Sequence, residues 1–222
     1  MRLGRARVAA QPLFQNKQED ITMNNSRALK RHDTIEASDS LQTISHKLST
    51  CRQDPGRIER IDTDNSGAMG LFPASQAIVA AMAVGGQRLY LSRSLLSSDI
   101  TQILRQHSGP EFTDRLHQAD LVLCNEIDCP DLDALEETGA SICPTQKTLI
   151  IQCQSFFRGI TYQTAGPTVR HSRKLRCSAF NGPLVHQRRK LRHQHPAIDL
   201  ILVNGSEFVC VPAGIQLLAA AR

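Results

Sequence analysis

Three short runs constrain this chain more than anything else in it: Leu121-Val122-Leu123, Leu149-Ile150-Ile151 and Leu200-Ile201-Leu202-Val203. None alternates apolar with polar residues, which is the pattern of strands buried on both faces. Such strands need covering layers on either side, so the runs predict the centre of a covered α/β sheet. The segments between them agree. Leu41, Ile44, Leu48 and Cys51 recur at three- and four-residue steps and predict a helix that Asp54-Pro55-Gly56 stops. A second helix starts near Pro73, and further helices are predicted over 98–106, 131–138 and 184–193. Strands are predicted over 57–61, 88–92, 119–124, 199–203 and 207–211, the last two joined by a hairpin at Asn204-Gly205. Two more, over 148–156 and 159–164, are expected to pair through a tight turn at Phe157-Arg158, which makes the sheet mixed.

Residues 1–38 are polar and aperiodic, and the expectation there is a disordered tail ahead of a single α/β domain over 39–222. The first ten residues carry three arginines but lack the apolar stretch of a secretory signal. The longest apolar helix candidate, residues 74–84, is far short of the ~20 residues that span a bilayer. The 7 cysteines (Cys51, Cys124, Cys129, Cys143, Cys153, Cys177 and Cys210) contain no CxxC pair, and their number is odd. Neither a disulfide framework nor a zinc knuckle is indicated, and Cys124, Cys153 and Cys210, set in apolar runs, read as packing residues of a cytoplasmic protein. Aromatic residues make up only 4% of the chain, too few for a base-stacking platform.

The order of the short motifs is more informative than any one of them. Asp54-Pro55-Gly56, His107-Ser108-Gly109-Pro110, Thr148-Leu149-Ile150-Ile151-Gln152, Ala165-Gly166-Pro167 and His195-Pro196-Ala197-Ile198-Asp199-Leu200-Ile201-Leu202 follow one another in sequence, content and spacing. From about residue 36 to the end, this pattern resembles the PhnH family of carbon-phosphorus lyase subunits. The resemblance implies a three-layer α/β/α sandwich with a mixed sheet, similar to the large domain of pyridoxal-phosphate-dependent transferases but without the cofactor. It also implies a subunit without an active site of its own, a homodimer when isolated. Its partners would be the G, I and J subunits of the core complex, which joins an alkylphosphonate to the ribose of ATP before the carbon-phosphorus bond is broken. Two positions depart from the family pattern: Pro212 is followed by Ala213 where the family tends to Pro-Arg, and His195-Pro196 stands where Phe-Pro is usual.

The residues themselves carry one strong charge feature. Between Glu137 and Asp199 there is no acid, yet Lys147, Arg158, Arg170, Arg173, Lys174, Arg176, Arg188, Arg189, Lys190 and Arg192 all fall there. With a net charge of only +5, the rest of the chain is acidic on balance, so the segregation points to an anionic partner. Arg170, Arg173, Lys174, Arg188 and Arg189 are the candidate contacts, whether to a partner subunit or to a stand-alone anionic ligand or nucleic acid through residues 147–192; the plain alternative is a solvated face.

Catalytic candidates are weaker. A Schiff-base lysine needs desolvation and a phosphate-binding loop, and Lys147, Lys174 and Lys190 have neither in sequence, so no cofactor is expected. His107, at a predicted helix end, reads better as a partner of the helix dipole than as a base. Asp199, at the head of a buried strand, reads better as a hydrogen-bonding anchor than as a catalytic acid. His186, His193 and His195 lack metal-ligand spacing, and no metal is expected.

Overall fold

The computed structural model describes residues 41–62, 69–83, 85–135, 146–167, 169–191 and 198–220. The expected disordered tail lies outside them. Helix α1 (residues 41–53) buries Ile44, Leu48 and Cys51 on one stripe, as its periodicity requires. The Asp54-Pro55-Gly56 turn then feeds β1 (Ile58–Arg60). Helix α2 (Pro73–Met82) opens with proline in its first turn, where a missing N–H costs nothing, and its residues Ala74 to Ala80 are all buried. After β2 (Arg88–Leu91), helix α3 (Ser98–Ser108) is capped at both ends: the Ser97 hydroxyl accepts the Ile100 N–H, and Gly109 takes the left-handed conformation at φ 57°.

Next come β3 (Glu111–Phe112), β4 (Leu121–Asn125) and β5 (Lys147–Gln152). The chain continues through β6 (Thr161–Ala165), β7 (Lys174–Arg176) and α4 (Gly182–Leu191). It ends with β8 (Ile198–Asn204), β9 (Glu207–Val211) and β10 (Gln216–Ala219).

The fold is α/β with a mixed sheet of seven strands in the order β1-β9-β8-β5-β4-β2-β3. β3, β2, β4, β5 and β8 run parallel, while β9 is antiparallel to both β8 and β1. The three continuous apolar runs are β4, β5 and β8 at its centre. Alternate residues of these strands serve two separate cores. Leu123, Ile150 and Ile201 pack with α1, α2 and α3, whereas Val122, Leu149 and Leu200 pack with Leu184 of α4 and with Tyr162, Leu175 and Ile215. Among the described residues, the second face is therefore covered by α4, by Leu132 and Leu135, and by a separate three-stranded antiparallel sheet, β10-β6-β7.

That second sheet overturns one expectation. β5 and β6 do not form a hairpin, because β6 pairs with β7 and β10 and lies in the other sheet. The two strands also differ in burial: β5 is buried along most of its length, but β6 alternates, with Tyr162 and Thr164 inside and Gln163 outside. The outer face of β6, with Gln163, stays wet, while its inner face packs Tyr162 against the large sheet. The sheet is mixed as expected, through β9 rather than β6.

A second correction concerns residues 131–138. The described part is a 3-10 turn, Leu132–Leu135, whose two leucines three apart are both buried, as one tight turn permits. The Asn-Gly hairpin holds with a shift of one residue: Asn204 pairs with Glu207, and Gly205 carries the positive φ of 60°.

Candidate functional site

In an open α/β sheet, small ligands bind beyond the carboxyl ends of the parallel strands, where successive strands depart to opposite sides. Here β2 is flanked by β3 on one side and β4 on the other, so that position lies above the ends of β2 and β4. The residues found there are polar, and they bond to one another.

Asp128 accepts from the Ser92 hydroxyl at 3.0 Å, the Ser94 N–H at 2.8 Å and the Asn125 N–H at 3.2 Å. Burial alone pushes its carboxyl up, but the bonds from Ser94, Ser92 and Asn125 outweigh this and hold it below the usual aspartate value. The Asn125 amide donates to Ser94 Oγ at 2.7 Å, and its oxygen accepts from Gln152 at 2.8 Å. Gln152, only 3% exposed at the end of β5, also donates to the Gly70 carbonyl at 2.8 Å and accepts the Phe72 N–H at 2.6 Å. Residues 70–72 are thus fastened over the strand ends. Next along the edge, the Ser178 hydroxyl and Gln154 N–H donate to Glu126, and the Asn204 amide donates to the Cys153 carbonyl. Of this network the sequence reading quoted Gln152 only as the end of a motif, and missed Ser92, Ser94, Asn125 and Asp128. The available signal was the amide that ends each apolar run, Asn125, Gln152 and Asn204.

None of the three lysines considered for a Schiff base stands at this edge. Lys147 is at the opposite, amino end of β5 and donates to the His117 carbonyl; Lys174 is exposed on β7; Lys190 faces Asp133 at 3.4 Å. Asp199 is also at the amino end, where it accepts from Ala213 N–H and Gln146 and faces Arg52 at 3.6 Å, so it anchors three segments. His107 sits in the last turn of α3, its ring bonded to the Ile103 carbonyl. His186 is exposed on α4, and His193 and His195 lie outside the described residues. Cys124, Cys153 and Cys210 are buried; hydrogen bonding to Cys177 and Cys51, with burial second, pushes the Cys153 and Cys210 thiols up and keeps them protonated.

The five basic candidates separate into two groups. Arg188 is buried, and its guanidinium donates to the carbonyls of Val211, Pro212 and Ile215 around the Pro212-Ala213 turn. Arg173 makes a two-pronged bond to Asp54 at 2.8 and 2.7 Å, and this hydrogen bond pulls the Asp54 carboxyl below its ordinary value. Both are committed within the fold. Arg170, Lys174 and Arg189 are exposed. Around Lys174 the outer face of the small sheet carries Arg176, and the loop leading into β6 exposes Arg158, Phe157 (76%) and Ile160 (51%).

A family model described as bacterial phosphonate metabolism protein (PhnH) matches residues 35–217. The chain belongs to the PhnH family. A search of curated proteins found no match. Membership gives this PhnH chain a role in phosphonate metabolism, and its motifs acquire plain structural meanings. Gly56 lies so close to the small sheet that a Cβ would meet Arg173 Cβ and Thr164 Cγ2 at 3.2 Å. The glycine of His107-Ser108-Gly109-Pro110 ends α3, Thr148 to Gln152 is the central strand with its anchoring amide, and a Cβ on Gly166 would stand 3.1 Å from the Gly214 carbonyl. Each motif whose residues are described makes a junction of the PhnH fold.

Proposed function

We propose that this PhnH-family chain is an accessory, non-catalytic subunit of the carbon-phosphorus lyase core complex, assembling with the G, I and J subunits that the family resemblance implies. One observation carries the reading. At the carboxyl ends of the parallel strands, the polar groups that would meet a substrate instead bond one another beneath residues 70–72. A catalytic constellation needs groups free to meet the reacting atoms; Ser92, Asn125, Asp128 and Gln152 are spent on holding the edge together. The same reading includes a three-layer α/β/α arrangement like that of the pyridoxal-phosphate-dependent transferase large domain, used without the cofactor. It also includes a cytoplasmic location, a domain beginning near residue 39, and a homodimer in the absence of partners. Among the described residues, no helix is long and apolar enough to cross a membrane.

Co-expression with the G, I and J proteins followed by size-exclusion chromatography tests it. We expect one co-eluting assembly, and no consumption of ATP and methylphosphonate by the isolated chain. Separate elution, or turnover by the isolated chain, overturns the reading.

A further inference from the structure

Among the described residues, the small sheet has an open edge with a single sign of charge. β7 pairs with β6 in the register Thr161↔Arg176, Tyr162↔Leu175, Gln163↔Lys174. The Thr164 N–H donates to the Arg173 carbonyl at 2.9 Å, and on the other side of β6 the Thr161 carbonyl accepts from Ala220 at 3.0 Å. Antiparallel partners alternate between bonded and non-bonded pairs. Residues 173 and 175 therefore spend their backbone groups on β6, and the backbone N–H and C=O of Lys174, with the N–H of Arg176, turn outward. Order in the sheet agrees, since β7 is an edge strand with β6 as its neighbour.

The strand is also held ready. The Arg173–Asp54 pair ties its start to the turn after α1, Leu175 is buried beneath it, and the Arg176 guanidinium donates to Thr161 Oγ1 at 3.0 Å. Lys174 stands exposed on the outer face in the middle of the acid-free span, with exposed Arg170 before it and exposed Arg158, Phe157 and Ile160 beside the Arg176 end.

We propose that the outer edge of β7 is a docking site at which an extended, acidic segment of a partner protein adds as a fourth strand to the small sheet. Backbone bonds to Lys174 and Arg176 supply the pairing, as in other strand-addition complexes. Carboxylates on the incoming strand, opposite or diagonal to Lys174, supply cross-strand charge complementarity, and Phe157 and Ile160 give an apolar contact at one end. This rests on the assembly reading above, and assigns a surface to it.

Two measurements on the full chain test it. The first replaces Lys174 by proline. β6 does not use the Lys174 N–H, and an edge strand tolerates proline where the N–H faces outward, so Lys174→Pro is expected to keep the thermal midpoint while weakening association with the co-expressed G, I and J proteins by about tenfold or more. Lys174→Glu is expected to weaken it too, and to make the residual binding less sensitive to salt. The second needs no variant: amide hydrogen exchange at Lys174 and Arg176 is expected to be fast in the isolated chain and to slow in the assembly. A wild-type chain that fails to co-elute overturns the assembly reading and this inference together. A wild-type chain that co-elutes while Lys174→Pro does so equally well, or while exchange at Lys174 is unchanged, overturns strand addition alone.

Discussion

The carboxyl edge of the large sheet and the outer edge of the small sheet are both polar, and they use polarity in opposite ways. At the first, side-chain groups of Ser92, Asn125, Asp128 and Gln152 face inward to one another, with donors matched to acceptors at 2.6–3.2 Å. At the second, Lys174 and Arg170 face solvent, in a stretch without a single acid. A matched network stabilises the chain that contains it; an unmatched charge of one sign serves an encounter with something else. Polar residues at a strand end are thus no guide to activity until their partners are known.

The sharpest way to break this contrast is at Gln152. Its amide makes three bonds to Asn125, Gly70 and Phe72 while only 3% exposed, so Gln152→Leu leaves buried donors and acceptors unpaired. We expect a loss of about 2–3 kcal/mol, read as a lower urea midpoint with an unchanged slope. Loss of less than about 0.5 kcal/mol would mean that the network is dispensable to folding and available for another role.

Where the sequence was legible, a short-range pattern mapped onto a local outcome. The continuous runs at Leu121, Leu149 and Leu200 became the central strands, and the Pro73 and Asn204-Gly205 signals placed a helix start and a hairpin to within a residue. The small sheet was not legible, because β6 and β10 are separated by more than fifty residues and nothing local tells β6 which sheet to join. Alternation over Thr161 to Ala165 was the one clue, since it differs from the pattern of β5. The basic span was visible as a composition, but the division between buried Arg188 and exposed Lys174 was not. An arginine that satisfies three backbone carbonyls and one that faces water look alike in a list of charges.

Acid separates the two regions by mechanism. Asp128 and Asp54 both have lowered values when folded, the first through bonds from Ser92, Ser94 and Asn125, the second chiefly through Arg173. A carboxyl lowered by folding contributes stability that is complete above its unfolded value, about 3.9, and is lost as pH falls through its folded value. The thermal midpoint should therefore drop as the pH falls below about 4. Asp128→Asn should flatten that drop and cost about 1 kcal/mol at neutral pH. Molar salt should remove much of the part due to Asp54, whose partner is an exposed cation, and leave the part due to Asp128 in place. A drop that salt abolishes entirely would show that the Asp128 bonds contribute nothing.

The smallest expected effect on stability is at Lys174. Its side chain is exposed, and the strand that carries it is anchored through Arg173 and Leu175 on either side. Lys174→Glu should change the unfolding free energy of the isolated chain by no more than about 0.5 kcal/mol, the range of ordinary surface substitutions. That near-silence is what gives the position its meaning. A residue that costs the free chain nothing, yet whose reversal weakens an assembly, reports an intermolecular contact; at Gln152 any loss of assembly would be confounded with loss of the fold. If Lys174→Glu instead destabilised the chain as much as Gln152→Leu, the small sheet's charged edge would belong to the fold as fully as the carboxyl edge does, and the contrast between the two regions would collapse.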